Sequence, residues 1–172
     1  MIDELLLVGL VGVAAISDLA SRRIPNLLIV IGLLAALGAQ TLLPDGSGWT
    51  TWLLGALTGF ILFLPVYALR GMGAGDVKLM AAVGAFVGAS VAVKIALATF
   101  LIGGVWALAV ILFKGKCREA WINIRTLLEP VLMRAARMPS ETTGMPMASV
   151  GRLPYGAAIA LGTLTIMFWG RW

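Results

Sequence analysis

From residue 77 to residue 113 the chain carries only two charged side chains, Lys78 and Lys94. A run of that length is too long to hide in the core of a chain of 172 residues, whereas a bilayer accepts an apolar helix of about 20 residues. The same bias runs through the whole sequence. Hydrophobic residues make up 60% and charged residues 12%, against roughly a quarter charged in soluble domains. The chain is therefore read as a membrane protein. It has no histidine, which excludes serine–histidine triads, cysteine–histidine dyads and histidine-ligated zinc. One cysteine, Cys117, excludes an intrachain disulfide and a Cys-rich zinc module. No metal or cofactor is implied.

Apolar stretches over residues 5–17 with their flanks, 27–43, 50–69, 77–113 and 155–170 predict an all-α polytopic membrane protein in a single domain, 1–172. The 77–113 stretch is long enough for two helices, broken near Gly88-Ala89-Ser90, so the count is about six transmembrane helices. The first is read as a retained helix because Asp3 and Glu4 lead it, where a cleaved signal begins with positive charge. With the N-terminus outside, 11 of the 13 lysines and arginines fall on the inner side, leaving Lys94 and Arg171 outside. That positive-inside bias sets the orientation. It also accounts for the net charge of +5 through topology and acidic headgroups, so nucleic acid is not an expected partner. Within the basic segment of about 114–152, Trp121, Ile124, Leu128, Val131 and Ala135 recur at helical spacing. They predict an amphipathic helix on the cytoplasmic face, bent at Pro130, followed by a loop over 139–151.

An ionisable residue in a membrane segment is a functional candidate by default. Of eight acidic residues, six fall in flanks or loops. The remaining two are Asp18, at the inner end of the first helix, and Asp76, at the inner start of the fourth. Two carboxylates at matching depth can share a proton, one activating water while the other polarises a scissile carbonyl. Structural roles compete with this chemistry. Asp18 and Arg22 have the i, i+4 spacing of a helix-surface ion pair, and Asp76 can be an N-cap. A proton-coupled transporter and a structural subunit of a secretion machine stay open as alternatives. A cap needs few glycines, however, and Asp76 closes Gly71-Met72-Gly73-Ala74-Gly75-Asp76, where Gly73 and Gly75 permit close backbone approach.

Gly73-Ala74-Gly75-Asp76, running on into Val77-Lys78-Leu79, resembles the GxGD signature of aspartyl intramembrane proteases in the form found in type IV prepilin peptidases. Asp18 with Arg22, Ile24, Pro25 and Asn26 is similar to that family's first aspartate motif. Leu153–Gly162 resembles its last helix, with Ala157 where proline is usual. The resemblance implies a hydrolase of the bacterial inner membrane with Asp18 and Asp76 as its catalytic pair. Such an enzyme removes the short basic leader of a prepilin at the cytoplasmic face. The short form resembles the peptidases of Flp-type pilus systems. It implies no N-terminal Cys-rich domain and so no N-methylation. The expected partners are a prepilin and the lipid bilayer. Around the pair, Arg22 is expected to set topology, Pro25 to fix the turn and Asn26 to hydrogen-bond near Asp18. Lys78 is expected to orient the pair or contact a phosphate headgroup. The glycines before Asp76 suggest a pair unassembled until substrate arrives.

Overall fold

A computed structural model describes residues 2–43, 46–69, 71–113 and 155–169. Every regular element among them is an α-helix: α1 (Ile2–Ser21), α2 (Asn26–Leu42), α3 (Trp49–Ala68), α4 (Ala74–Phe113) and α5 (Tyr155–Trp169). The chain divides into two compact units, residues 1–104 with 153–172, and residues 105–152. The expected amphipathic helix around Cys117–Met138 and the loop that follows it lie outside the described residues.

Local chemistry sets the helix ends. At the end of α1, Arg22 takes a left-handed backbone (φ 52) and its amide N–H donates to the Asp18 carbonyl at 2.8 Å. The Ser17 hydroxyl donates to the Arg23 carbonyl at 2.8 Å, and the Ser21 hydroxyl to the Ser17 carbonyl at 2.8 Å. Pro25 follows in an extended conformation at the N-cap position of α2, where its missing N–H and fixed φ suit a helix start. The turn is thus built from side chains of the helix it terminates.

α4 has one non-helical residue, Gly88 (φ 77, ψ 170), within the tripeptide where the sequence predicts a break. The bend is sharp. A straight helix rises about 12 Å over eight residues, yet a Cβ built on Gly84 would lie 3.4 Å from that of Ala92. The two limbs of α4 therefore fold back on one another. The Gln40 side-chain amide donates to the Phe86 carbonyl at 2.6 Å, supplying a partner beside the interrupted hydrogen-bond ladder.

Glycines set the spacing of α3 and α4. Gly55 meets the Gly84 backbone and Gly59 meets the Met80 backbone so closely that a Cβ at either would overlap a carbonyl. This small-residue spacing is how helices associate where apolar burial against lipid gives little drive. Phe63, fully buried, stacks on Phe100 of α4 with centroids 4.8 Å apart. The Trp52 indole N–H donates to the Leu33 carbonyl at 3.0 Å and ties α3 to α2.

The sequence predicts six membrane spans. Among the described residues, α3 and α4 are by length and composition the two helices long and apolar enough to cross a bilayer, while α2 and α5 are shorter apolar helices of 17 and 15 residues. Both helices match the apolar stretches read in the sequence, 27–43 and 155–170, so the shortfall lies in the length of those runs themselves. A 17-residue helix is about 25 Å long, short of a hydrocarbon core of about 30 Å.

The α3–α4 contact yields a stability prediction. Gly55→Ala should lower stability by about 1–3 kcal/mol through overpacking. Gly9→Ala, whose Cβ would meet nothing within 4 Å, should be neutral or slightly stabilising. Thermal unfolding of both variants in detergent, followed by circular dichroism, checks this.

Candidate active site

Three helix ends meet around Asp18 and Asp76. Asp18 sits one turn before the end of α1, and Asp76 is the third residue of α4. Their exposures are 7% and 8%, so neither carboxylate has free access to bulk water and each needs an internal partner. The two lie close enough to interact electrostatically. The structure thus brings together the two acids that sequence spacing singles out.

Each carboxylate accepts a hydrogen bond from a backbone amide at a helix start. The Gly73 N–H donates to Asp76 Oδ2 at 3.0 Å, and the Gly156 N–H donates to Asp18 Oδ2 at 2.8 Å. The first amides of a helix have no partner within it and carry the positive end of its dipole. Both aspartates use this property, Asp76 on its own helix and Asp18 on α5. The simple structural roles change accordingly. Gly73, not Asp76, occupies the N-cap position, and Asp76 reaches back to it in the manner of the acidic residue of a capping box. Arg22 closes α1 with a left-handed backbone while its N–H still bonds the Asp18 carbonyl.

The glycines have separate jobs. Gly73 contributes its amide. Gly75 lacks a side chain where the Ile24 side chain packs, 3.3 Å from a would-be Cβ, so the α1–α2 turn can close on the first turn of α4. Gly156 is the tightest of the three. A Cβ there would stand 2.9 Å from both Cβ and Oδ2 of Asp18.

Other residues singled out in the sequence take different places. Asn26 does not reach Asp18 through any described hydrogen bond; its Oδ1 accepts from Lys78 Nζ at 3.1 Å. Lys78 follows Asp76 by two residues, roughly 200° around the helix, and so leaves α4 on the side away from the pair. Pro25 starts α2 and acts on the site only through the turn.

Tyr155 and Gly156 are the residues that side-chain reasoning passes over. The Tyr155 phenol lies within electrostatic reach of Asp76 and packs against Gly103, directly before the amide that holds Asp18. The signal available in the sequence is the Tyr155-Gly156 step opening an apolar helix, but the group that acts at Gly156 is a backbone N–H, which no residue type advertises. Among the described residues no group of three or more His, Cys, Asp or Glu side chains clusters as a metal site would.

The Gly156 contact can be tested directly. Gly156→Ala should push the Asp18 carboxylate from its amide and lower turnover that depends on the pair by at least about tenfold, a loss of about 1.4 kcal/mol in transition-state stabilisation. Gly38→Ala, with open space around its Cβ, should retain full turnover at matched protein level.

Comparison with known proteins gives the same two-aspartate region a family. The sequence model described as "Type IV leader peptidase family" matches residues 5–108, which include Asp18 and Asp76 but not Gly156. The chain is also similar to the prepilin leader peptidase/N-methyltransferase of Bacillus subtilis (strain 168), at 30% identity over 107 residues. That alignment covers 61% of this chain and 43% of the relative, so the chain spans less than half the length of the curated relative it matches. No solved structure matches it. With more than half of its residues matched by the family's sequence model, the chain belongs to the type IV leader peptidase family.

Proposed function

We propose that the protein is a membrane aspartyl endopeptidase that removes the leader of a Flp-type or related prepilin. The observation that carries this reading is the convergence of Asp18 and Asp76, two buried carboxylates from different helices, each held by a helix-start amide. Membership of a leader peptidase family supplies the reaction class.

The chemistry follows from two close acids sharing one proton. The ionised carboxylate takes a proton from water as the oxygen attacks the scissile carbonyl. The protonated partner donates to the carbonyl oxygen, where charge develops. Collapse of the tetrahedral species breaks the C–N bond, and the proton first taken from water goes to the leaving amine. Products are a carboxylate on the leader and a free amine on the mature chain. Binding the precursor's apolar segment beside α1, α4 and α5 would fix the scissile bond at the pair, converting positional entropy into rate.

A membrane setting is supported by the outward faces of the helices, where Leu5, Ile16, Leu27, Leu101 and Phe168 are each more than two-thirds exposed. Apolar exposure of that extent is not a feature of a water-facing surface. We read the helical segments as six membrane passes, with the two limbs of α4 counted separately. The N-terminus is outside, and the dyad is at the cytoplasmic edge of the bacterial inner membrane, on the positive-inside bias. The Bacillus relative's name couples peptidase to N-methyltransferase. For residues 1–172 we propose peptidase chemistry alone, because Cys117 is the single cysteine and the family's methylation is linked to paired cysteines.

Co-expression of a Flp-type prepilin with the wild type, Asp18→Asn and Asp76→Asn tests the mechanism. Asparagine keeps the amide-accepting oxygen and the shape of each side chain. Cleavage should fall by at least about a hundredfold in each variant, read as a precursor shift on a gel at matched membrane levels. Full cleavage by either variant would reduce that aspartate to a capping residue. The wild-type rate should be bell-shaped in pH, falling in acid as both carboxyls protonate and in alkali as both ionise, with apparent values belonging to the pair.

A further inference from the structure

A second recess lies on the other side of α4. It is a groove of about 320 Å³ between α2, α3 and α4. Its walls are apolar along Ile29, Leu33, Phe60 and Ala81, and one end is polar, formed by Asn26 and Lys78. On α2 the lining residues repeat at three- and four-residue steps, so the groove runs along the helix for about 10 Å from Asn26 to Leu33. Because Lys78 leaves α4 away from Asp76, this groove is separate from the aspartate pair.

The polar end is matched to an acidic group. An ammonium has three N–H donors and no acceptor. In Lys78 one of them is used by the neutral Asn26 Oδ1, at 3.1 Å. That bond orients the charge without neutralising it, and the Asn26 amide adds donors of its own. Both side chains are exposed, so the charge faces the open mouth of the groove. The occupant therefore needs an acceptor-only, negatively charged head and a slender apolar tail.

Size separates the candidates. The groove, of about 320 Å³, is too small to enclose a helix about 10–12 Å across. A single extended hydrocarbon chain fits. We propose that this groove binds one acidic phospholipid, with an acyl chain along Ile29, Leu33, Phe60 and Ala81 and the phosphate on Lys78 and Asn26. The inference rests on the membrane placement proposed above, and is independent of the peptidase chemistry.

Native mass spectrometry of the full chain, purified in mild detergent and equilibrated with equal phosphatidylglycerol and phosphatidylcholine, tests it. Wild type should retain one phosphatidylglycerol with a preference of at least about fivefold. Lys78→Gln should abolish the preference and Lys78→Arg should keep it. Ala81→Leu, which fills the groove floor and leaves the charge, should reduce retention of both lipids without changing their ratio. Unchanged selectivity in Lys78→Gln overturns the proposal. So does unchanged lipid retention in Ala81→Leu with loss of prepilin binding, which would make the occupant a protein helix. If Lys78→Gln does not accumulate, Ala81→Leu decides alone. A chain soluble without detergent would instead overturn the membrane placement.

Discussion

Each buried polar atom in this molecule has to find its partner inside the molecule, because apolar helices supply almost nothing else and water is not at hand. No buried side-chain nitrogen or oxygen among the described residues is left without one. Threonines Thr99 and Thr163 return their hydroxyls to their own helices, to Ile95 and Ile159. Gln40 serves the broken ladder of α4. The two aspartates are extreme cases of the same requirement. Each accepts an amide N–H from a helix start on its Oδ2.

That arrangement depends on close packing. α3 and α4 touch backbone to backbone at Gly55 and Gly59, which fixes the first limb of α4 and so Asp76. The α1–α2 turn closes over Gly75, and α5 meets α1 with only a hydrogen atom's width to spare at Gly156. Positions that carry no side chain thus determine where the two aspartates sit. The capping function of Asp76 and its proposed catalytic function also use the same side chain without conflict, since a cap needs one oxygen and the acid–base step the other.

Much of this was legible in the chain. Apolar runs give the helices to within a few residues, and the small residues near position 88 give the break. The isolation of Asp18 and Asp76 among apolar neighbours marks them out before any geometry. What stayed hidden is backbone chemistry and relative rotation. Gly156 acts through an N–H, which has no residue signature. Lys78 and Asn26 each look like companions of the nearest aspartate in sequence, yet helical rotation turns them to each other and away from the pair. Asp76 reads as an N-cap, and only the register of the first turn moves that position to Gly73. The shorter runs, over α2 and α5, read as spans by hydropathy although their helices fall short of the length of a bilayer's core.

The Gly156–Asp18 hydrogen bond joins residues 138 positions apart. During synthesis the aspartate leaves the ribosome and enters its helix long before the amide that holds it exists. A partly made chain therefore carries both acids without the contact that orients one of them. If the pair works as proposed, hydrolytic competence would be a late event in biogenesis, set by the arrival of α5.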